Sequence, residues 1–137
     1  MKYKYSTVFP PSYTKKFIRR PMVEIEIFGP KSKLKQLALI DSGADYSLFN
    51  FDIAELVGID LKNAKQDKVT GITGHGEIFF TDIEIKIEHL DNKIRIPAGF
   101  IKSPHVSVLL GQEAFFDLNR IKFERDHDAF EINPVGK

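Results

Sequence analysis

The stretch Leu37-Ala38-Leu39-Ile40-Asp41-Ser42-Gly43-Ala44-Asp45 runs four apolar residues into a polar turn that opens on an acid. A short unbroken apolar run of this kind reads as a buried strand. Ended by Asp41-Ser42-Gly43, it delivers a carboxyl and a hydroxyl to the rim of a core. Gly43 permits close backbone approach, and Ala44 is small enough to pack beneath the loop. Upstream, Met22-Val23-Glu24-Ile25-Glu26-Ile27-Phe28 alternates apolar and charged residues as a half-buried strand does, and Gly29-Pro30 ends it. Downstream, residues 46–49 predict another strand. Asn50 or Asp52 then caps a short helix through Ala54, Glu55, Leu56 and Val57, which Gly58 stops.

Farther along, Gly71-Ile72-Thr73-Gly74-His75-Gly76 places three glycines in six residues and reads as a hairpin tip. Residues 78–87 alternate as a long strand, with Ile83, Ile85 and Ile87 on one face and Asp82, Glu84 and Lys86 on the other. Asp91-Asn92 turns the chain back through Ile94 and Ile96, and Pro97 marks the edge or end of the returning strand. Residues 106–110 form an inner strand running into Gly111, and residues 112–118 are helix-compatible. Ile121-Lys122-Phe123 and Ala129-Phe130-Glu131-Ile132 pair as a closing hairpin. The expectation is a mainly all-β fold with one or two short helices.

Asp-Ser-Gly alone is compatible with an ordinary turn. Here it follows an apolar strand, precedes a glycine-rich hairpin by about thirty residues, and is answered by Val108-Leu109-Leu110-Gly111, a second apolar run into glycine. In that order the chain resembles the retropepsins, the retroviral-type aspartic peptidases, over roughly residues 22–120. The resemblance implies a closed β-barrel, the acid-protease half-fold, and a homodimer with its active site at the interface, since one chain supplies one Asp-Ser-Gly. It makes Asp41 catalytic, lets Ser42 hydrogen-bond across the dimer, turns the Gly43 carbonyl towards substrate, and gives Asp45 the substrate backbone. Ala44 completes the loop. Gly71, Ile72, Thr73 and Gly74 become a flap over a peptide substrate, though a plain hairpin turn fits the same residues. Leu109 and Ser107 line the cleft or are ordinary strand residues. Retropepsins usually carry a basic residue after the second apolar-Gly, paired with the aspartate at the position of Asp45. This chain has Gln112-Glu113 there, so Gln112 is expected to hydrogen-bond Asp45 beside the like charge of Glu113.

The bulk properties narrow the alternatives. At 137 residues and 42% apolar content the chain is the size of one domain with a real core. Its 20 basic and 19 acidic residues nearly cancel, so no whole-molecule field points to nucleic acid or an anionic membrane. With no cysteine there is neither a thiol nucleophile nor a disulfide, and a reducing, cytoplasmic location is expected. The N-terminus lacks an apolar leader core, and no run approaches the roughly 18 apolar residues that span a bilayer, so neither export nor membrane insertion is expected. Residues 1–21 are basic and aromatic, with Pro10-Pro11 and Pro21 pinning an extended arm ahead of a domain over 22–137. The arm's residue types suit nucleic acid, but packing across the domain is preferred because no nucleic-acid motif accompanies them. No cofactor or metal is expected: His75, His89 and His105 lack paired ligand spacing, and Asp126-His127-Asp128 reads as a solvated turn.

Overall fold

Residues 22–28 form a strand because their alternation gives it one apolar face: Val23, Ile25 and Ile27 are buried and their neighbours are half-exposed. The structure, a computed structural model, describes residues 1–8, 17–69, 76–104 and 106–136. In chain order the elements are β1 (Lys2–Lys4), β2 (Ser6–Val8), β3 (Ile18–Arg20), β4 (Met22–Phe28), β5 (Lys33–Ile40), β6 (Ser47–Asn50), α1 (Phe51–Val57), β7 (Lys65–Val69), β8 (Gly76–Ile87), β9 (Lys93–Ile101), β10 (Val108–Leu110), β11 (Asn119–Glu124) and β12 (Ala129–Pro134). The mainly β expectation holds.

The central sheet runs β4-β5-β10-β6-β9-β8-β7, and a further pairing of β4 with β8 closes six of its strands into a barrel. β8 is long enough to serve two partners along one edge. Its first half pairs with β7, from Val69↔Gly76 to Lys65↔Phe80, and its last residues pair with β4, from Phe28↔Glu84 to Ile25↔Ile87. Closure removes the free edges that a strand of this length would otherwise expose. The barrel is filled by Ile25, Ile27, Ile85, Ile96, Phe49, Phe100 and Leu110, all essentially without solvent contact. Phe49 and Phe100 meet ring to ring at 5.6 Å between centroids.

Several local expectations are corrected. β5 is not buried on both faces: Ala38 and Ile40 point into the core while Leu37 is 46% exposed. Pro97 does not end β9, which continues to Ile101. It stands where β9 has only β8 as a partner, because β6 joins from Ala98 onward, so a missing N–H costs little there. Residues 112–118 do not form one regular helix. Glu113 is extended and Ala114 adopts φ 63°, which breaks the segment into a turn followed by a single helical turn. The short helix α1 has the ends that its sequence suggests. The Asn50 side chain accepts from the Asp52 N–H, and Gly58 closes the helix with φ 82°.

The first residues belong to the fold. β1 pairs antiparallel with β12, which pairs with β11 to make a three-stranded sheet. Tyr3 is buried, stacked on Phe130 at 5.3 Å, and its hydroxyl donates to the Glu88 carbonyl. β2 and β3 make a separate two-stranded ribbon, tied to the β11–β12 turn by an Arg19–Asp128 ion pair. Among the described residues no helix is long and apolar enough to cross a membrane.

Candidate functional site

β10 lies between β5 and β6. It runs parallel to β5, with Leu109 opposite Leu39 and Leu110 opposite Ile40, and antiparallel to β6, with Val108 opposite Phe49. The loop of residues 41–46, which joins β5 to β6, therefore arches over the exit of β10. This threading brings Asp41 and Gly111, far apart in sequence, to the same end of the barrel.

The arch is held residue by residue. The Asp41 N–H donates to the Leu110 carbonyl at 2.9 Å. The Gly111 N–H donates to the buried Ser47 hydroxyl at 3.1 Å. The Gln112 N–H donates to the Ala44 carbonyl at 2.8 Å, and the Glu113 N–H to the Asp45 carbonyl at 2.9 Å. Within the loop, the Ala44 N–H reaches the Asp41 carbonyl at 3.2 Å and the Gly43 N–H reaches Asp41 Oδ1 at 3.0 Å. Gly43 is tight against the acid, for a Cβ there would lie 3.3 Å from Asp41 Oδ1. The result is a half-exposed carboxylate on a loop whose backbone polar groups are bonded at both ends.

Of the residues expected at the site, Asp41, Ser42, Gly43, Ala44 and Asp45 lie together on this arch. Ser42 and Asp45 are exposed, and Ala44 is half-buried beneath them. Leu109 is half-buried against Leu48, Ile78, Ile101 and Val106, a small apolar cluster that Tyr46 and Phe80 complete. Ser107 is exposed, and its carbonyl accepts from the Asn50 N–H. Gly71, Ile72, Thr73 and Gly74 lie outside the described residues, although β7 and β8, which lead into and out of that segment, pair antiparallel up to Val69↔Gly76. One expected contact is redirected: the Gln112 side chain donates to the Ser42 carbonyl at 2.7 Å, not to the Asp45 carboxylate.

Sequence reasoning missed two features. Ser47 is fully buried at the start of β6, and a serine set among the large side chains of Tyr46, Leu48 and Phe49 is the signal that a buried partner needs it. Beside the loop, Tyr46, Lys65, Phe80, Pro97 and Glu113 line a concavity of about 330 Å³. Its aromatic wall is Tyr46 edge-on to Phe80 at 5.2 Å. These residues come from separate parts of the chain, and the adjacency of β10, β6, β9, β8 and β7 in the sheet gathers them. A larger concavity, about 560 Å³, has Ile87, Leu90, Ile94, Leu118 and Val135 in its lining and contains no residue of the loop. Asp126 and His127 are exposed at the β11–β12 turn, with His127 Nε2 3.3 Å from Asp126 Oδ2. No group of three or more potential metal ligands comes together among the described residues. In comparisons with known proteins, no family model and no curated protein matches the chain.

Proposed function

We propose that the chain is an aspartic peptidase that acts as a homodimer, pairing Asp41 of two copies across a two-fold axis. The observation that carries this reading is the threading of β10 between β5 and β6, which presents Asp41 on an arch clamped by the Gly111–Glu113 segment. A half-exposed acid on so constrained a loop is suited to work on an external substrate with fixed geometry.

Two such carboxylates brought together share one proton, because adjacent like charges resist joint ionisation. The ionised member takes a proton from a water as its oxygen attacks the peptide carbonyl carbon. The protonated member gives its proton to the carbonyl oxygen, yielding a neutral tetrahedral diol. On collapse the C–N bond breaks, the amine nitrogen takes a proton from one carboxyl and a diol hydroxyl returns one to the other. Water has been added across the bond, and the dyad is again singly protonated. The concavity of Tyr46, Phe80 and Pro97 offers an apolar wall beside the loop for a substrate side chain.

A peptide-binding module without hydrolysis is the second reading, favoured by the Gln112-Glu113 segment that stands where retropepsins usually carry a cation. Both readings meet one experiment: cleavage of a peptide library by the protein and by Asp41→Asn, at high concentration from about pH 4 to 7, read by mass spectrometry. Cleavage by the natural sequence alone supports the peptidase. Equal cleavage by both rejects Asp41 as catalyst, and no cleavage by two folded dimers favours the binding module.

A further inference from the structure

We propose that Gln112 is the positioning residue for Asp41, acting through the Ser42–Gly43 peptide; its bearing on catalysis rests on the peptidase reading, its structural action does not. The Ser42 carbonyl and the Gly43 N–H belong to a single peptide unit. That unit is planar and trans, so its C=O and N–H point in opposite directions. On one edge the carbonyl accepts from Gln112 Nε2 at 2.7 Å, and on the other the N–H donates to Asp41 Oδ1 at 3.0 Å. A carbonyl oxygen can only accept, so the nitrogen of the Gln112 amide must face it. The peptide is thus gripped from both sides, and rotating it to break one bond breaks the other. A donor on the carbonyl also polarises the unit and strengthens what its N–H can give.

The placement of Gln112 follows from its neighbours. Its own N–H is fixed to the Ala44 carbonyl and the next N–H to that of Asp45, so the side chain emerges beside Ser42, whose carbonyl it meets. Gly111 allows this closeness, since a Cβ there would lie 2.7 Å from the Ala44 carbonyl oxygen. A glutamine does here, as a neutral donor to the backbone, what an ion pair to the Asp45 carboxylate would not: it acts on the very peptide that touches the acid. The Asp45 carboxylate is left to face solvent.

The test compares Gln112→Met, which keeps length and removes the donor, with Gln112→Lys, which restores a donor at similar reach. The first readout is hydrogen exchange of the Gly43 amide by NMR, calibrated against Asp41→Ala, in which that amide has lost its acceptor. Gln112→Met is expected to speed Gly43 exchange at least tenfold towards the Asp41→Ala value, and Gln112→Lys to restore slow exchange. The second readout is cleavage: kcat falls about tenfold or more in Gln112→Met with KM within about twofold, and Gln112→Lys recovers most of it. Gln112 is exposed, so neither variant disturbs the core. Unchanged Gly43 exchange in Gln112→Met overturns the proposal, as does an equal fall in kcat for both variants. If the natural sequence does not cleave, the peptidase reading fails alone, and the exchange rates still decide the role of Gln112.

Discussion

Gly111 has no room for a side chain: a Cβ would sit 2.5 Å from the Tyr46 carbonyl oxygen and 2.7 Å from that of Ala44. Both obstacles are backbone, so they yield only if the arch moves. Gly111→Ala is expected to cost about 1–3 kcal/mol, as overfilling a packed site does, and to lower cleavage further than stability loss explains. Urea unfolding and peptide assays read the two effects. Ser47→Ala acts from below the same loop, orphaning the buried Gly111 N–H at a cost of about 1–3 kcal/mol in the same unfolding assay. Tyr3 carries the clearest pH signature. Burial, with the nearby Glu88 carboxylate, pushes its phenol up from 10.0 to about 12. The unfolded chain therefore releases this proton first as pH rises. The stability it contributes is whole below about pH 10 and is lost towards pH 12. Urea midpoints measured at increasing alkaline pH should fall less steeply in Tyr3→Phe than in the natural sequence.

Asn50 joins two elements, and its substitution separates their contributions. Its Oδ1 caps α1, while its Nδ2 donates to the Ser103 and Val106 carbonyls, both at 2.9 Å, and so anchors the approach to β10. Asn50→Ala loses all three bonds, whereas Asn50→Asp keeps the cap but turns an acceptor-only oxygen onto two carbonyl oxygens. Both should destabilise by chemical denaturation, Asn50→Ala by at least the roughly 1 kcal/mol of a cap and Asn50→Asp by no less. Signals local to the chain were legible. The Asn50 cap, the Gly58 stop, the alternation of β4 and β8 and the Asp41-Ser42-Gly43 turn all announce themselves within a few residues. The turn at Ala114 did not, because its cause is distant. Gln112 and Glu113 are tied by their backbone to Ala44 and Asp45, and that tether overrides the helical preference of the residues that follow. Pro97 was legible as an edge or an end of its strand; that it is the edge alone, with β9 running on, is set by where β6 begins.

For the whole molecule, the first residues and the last strand share one sheet, with the Met1 carbonyl accepting from the Ile132 N–H at 3.0 Å. Alternating Lys2-Tyr3-Lys4 encodes a strand of only three residues, too short to distinguish from an extended arm by sequence. Removing residues 1–5 is expected to cost at least the burial of one large side chain, about 1.5–3 kcal/mol, read as a lower urea midpoint. An arm outside the fold would leave that midpoint unchanged. The central strand β10 imposes a different requirement, one of time. Leu109 pairs with Leu39 across seventy positions of chain, and β5 and β6 must wait apart until residues 108–110 slip between them. Closing so long a loop is slow, and it makes folding of the arch nearly all-or-none. On a ribosome, where the N-terminal side emerges first, Asp41 is made early and stays unheld until Leu110 and the residues after it are free to fold. Synthesis itself thus keeps the acid unshaped until the distant segment that must hold it has been made.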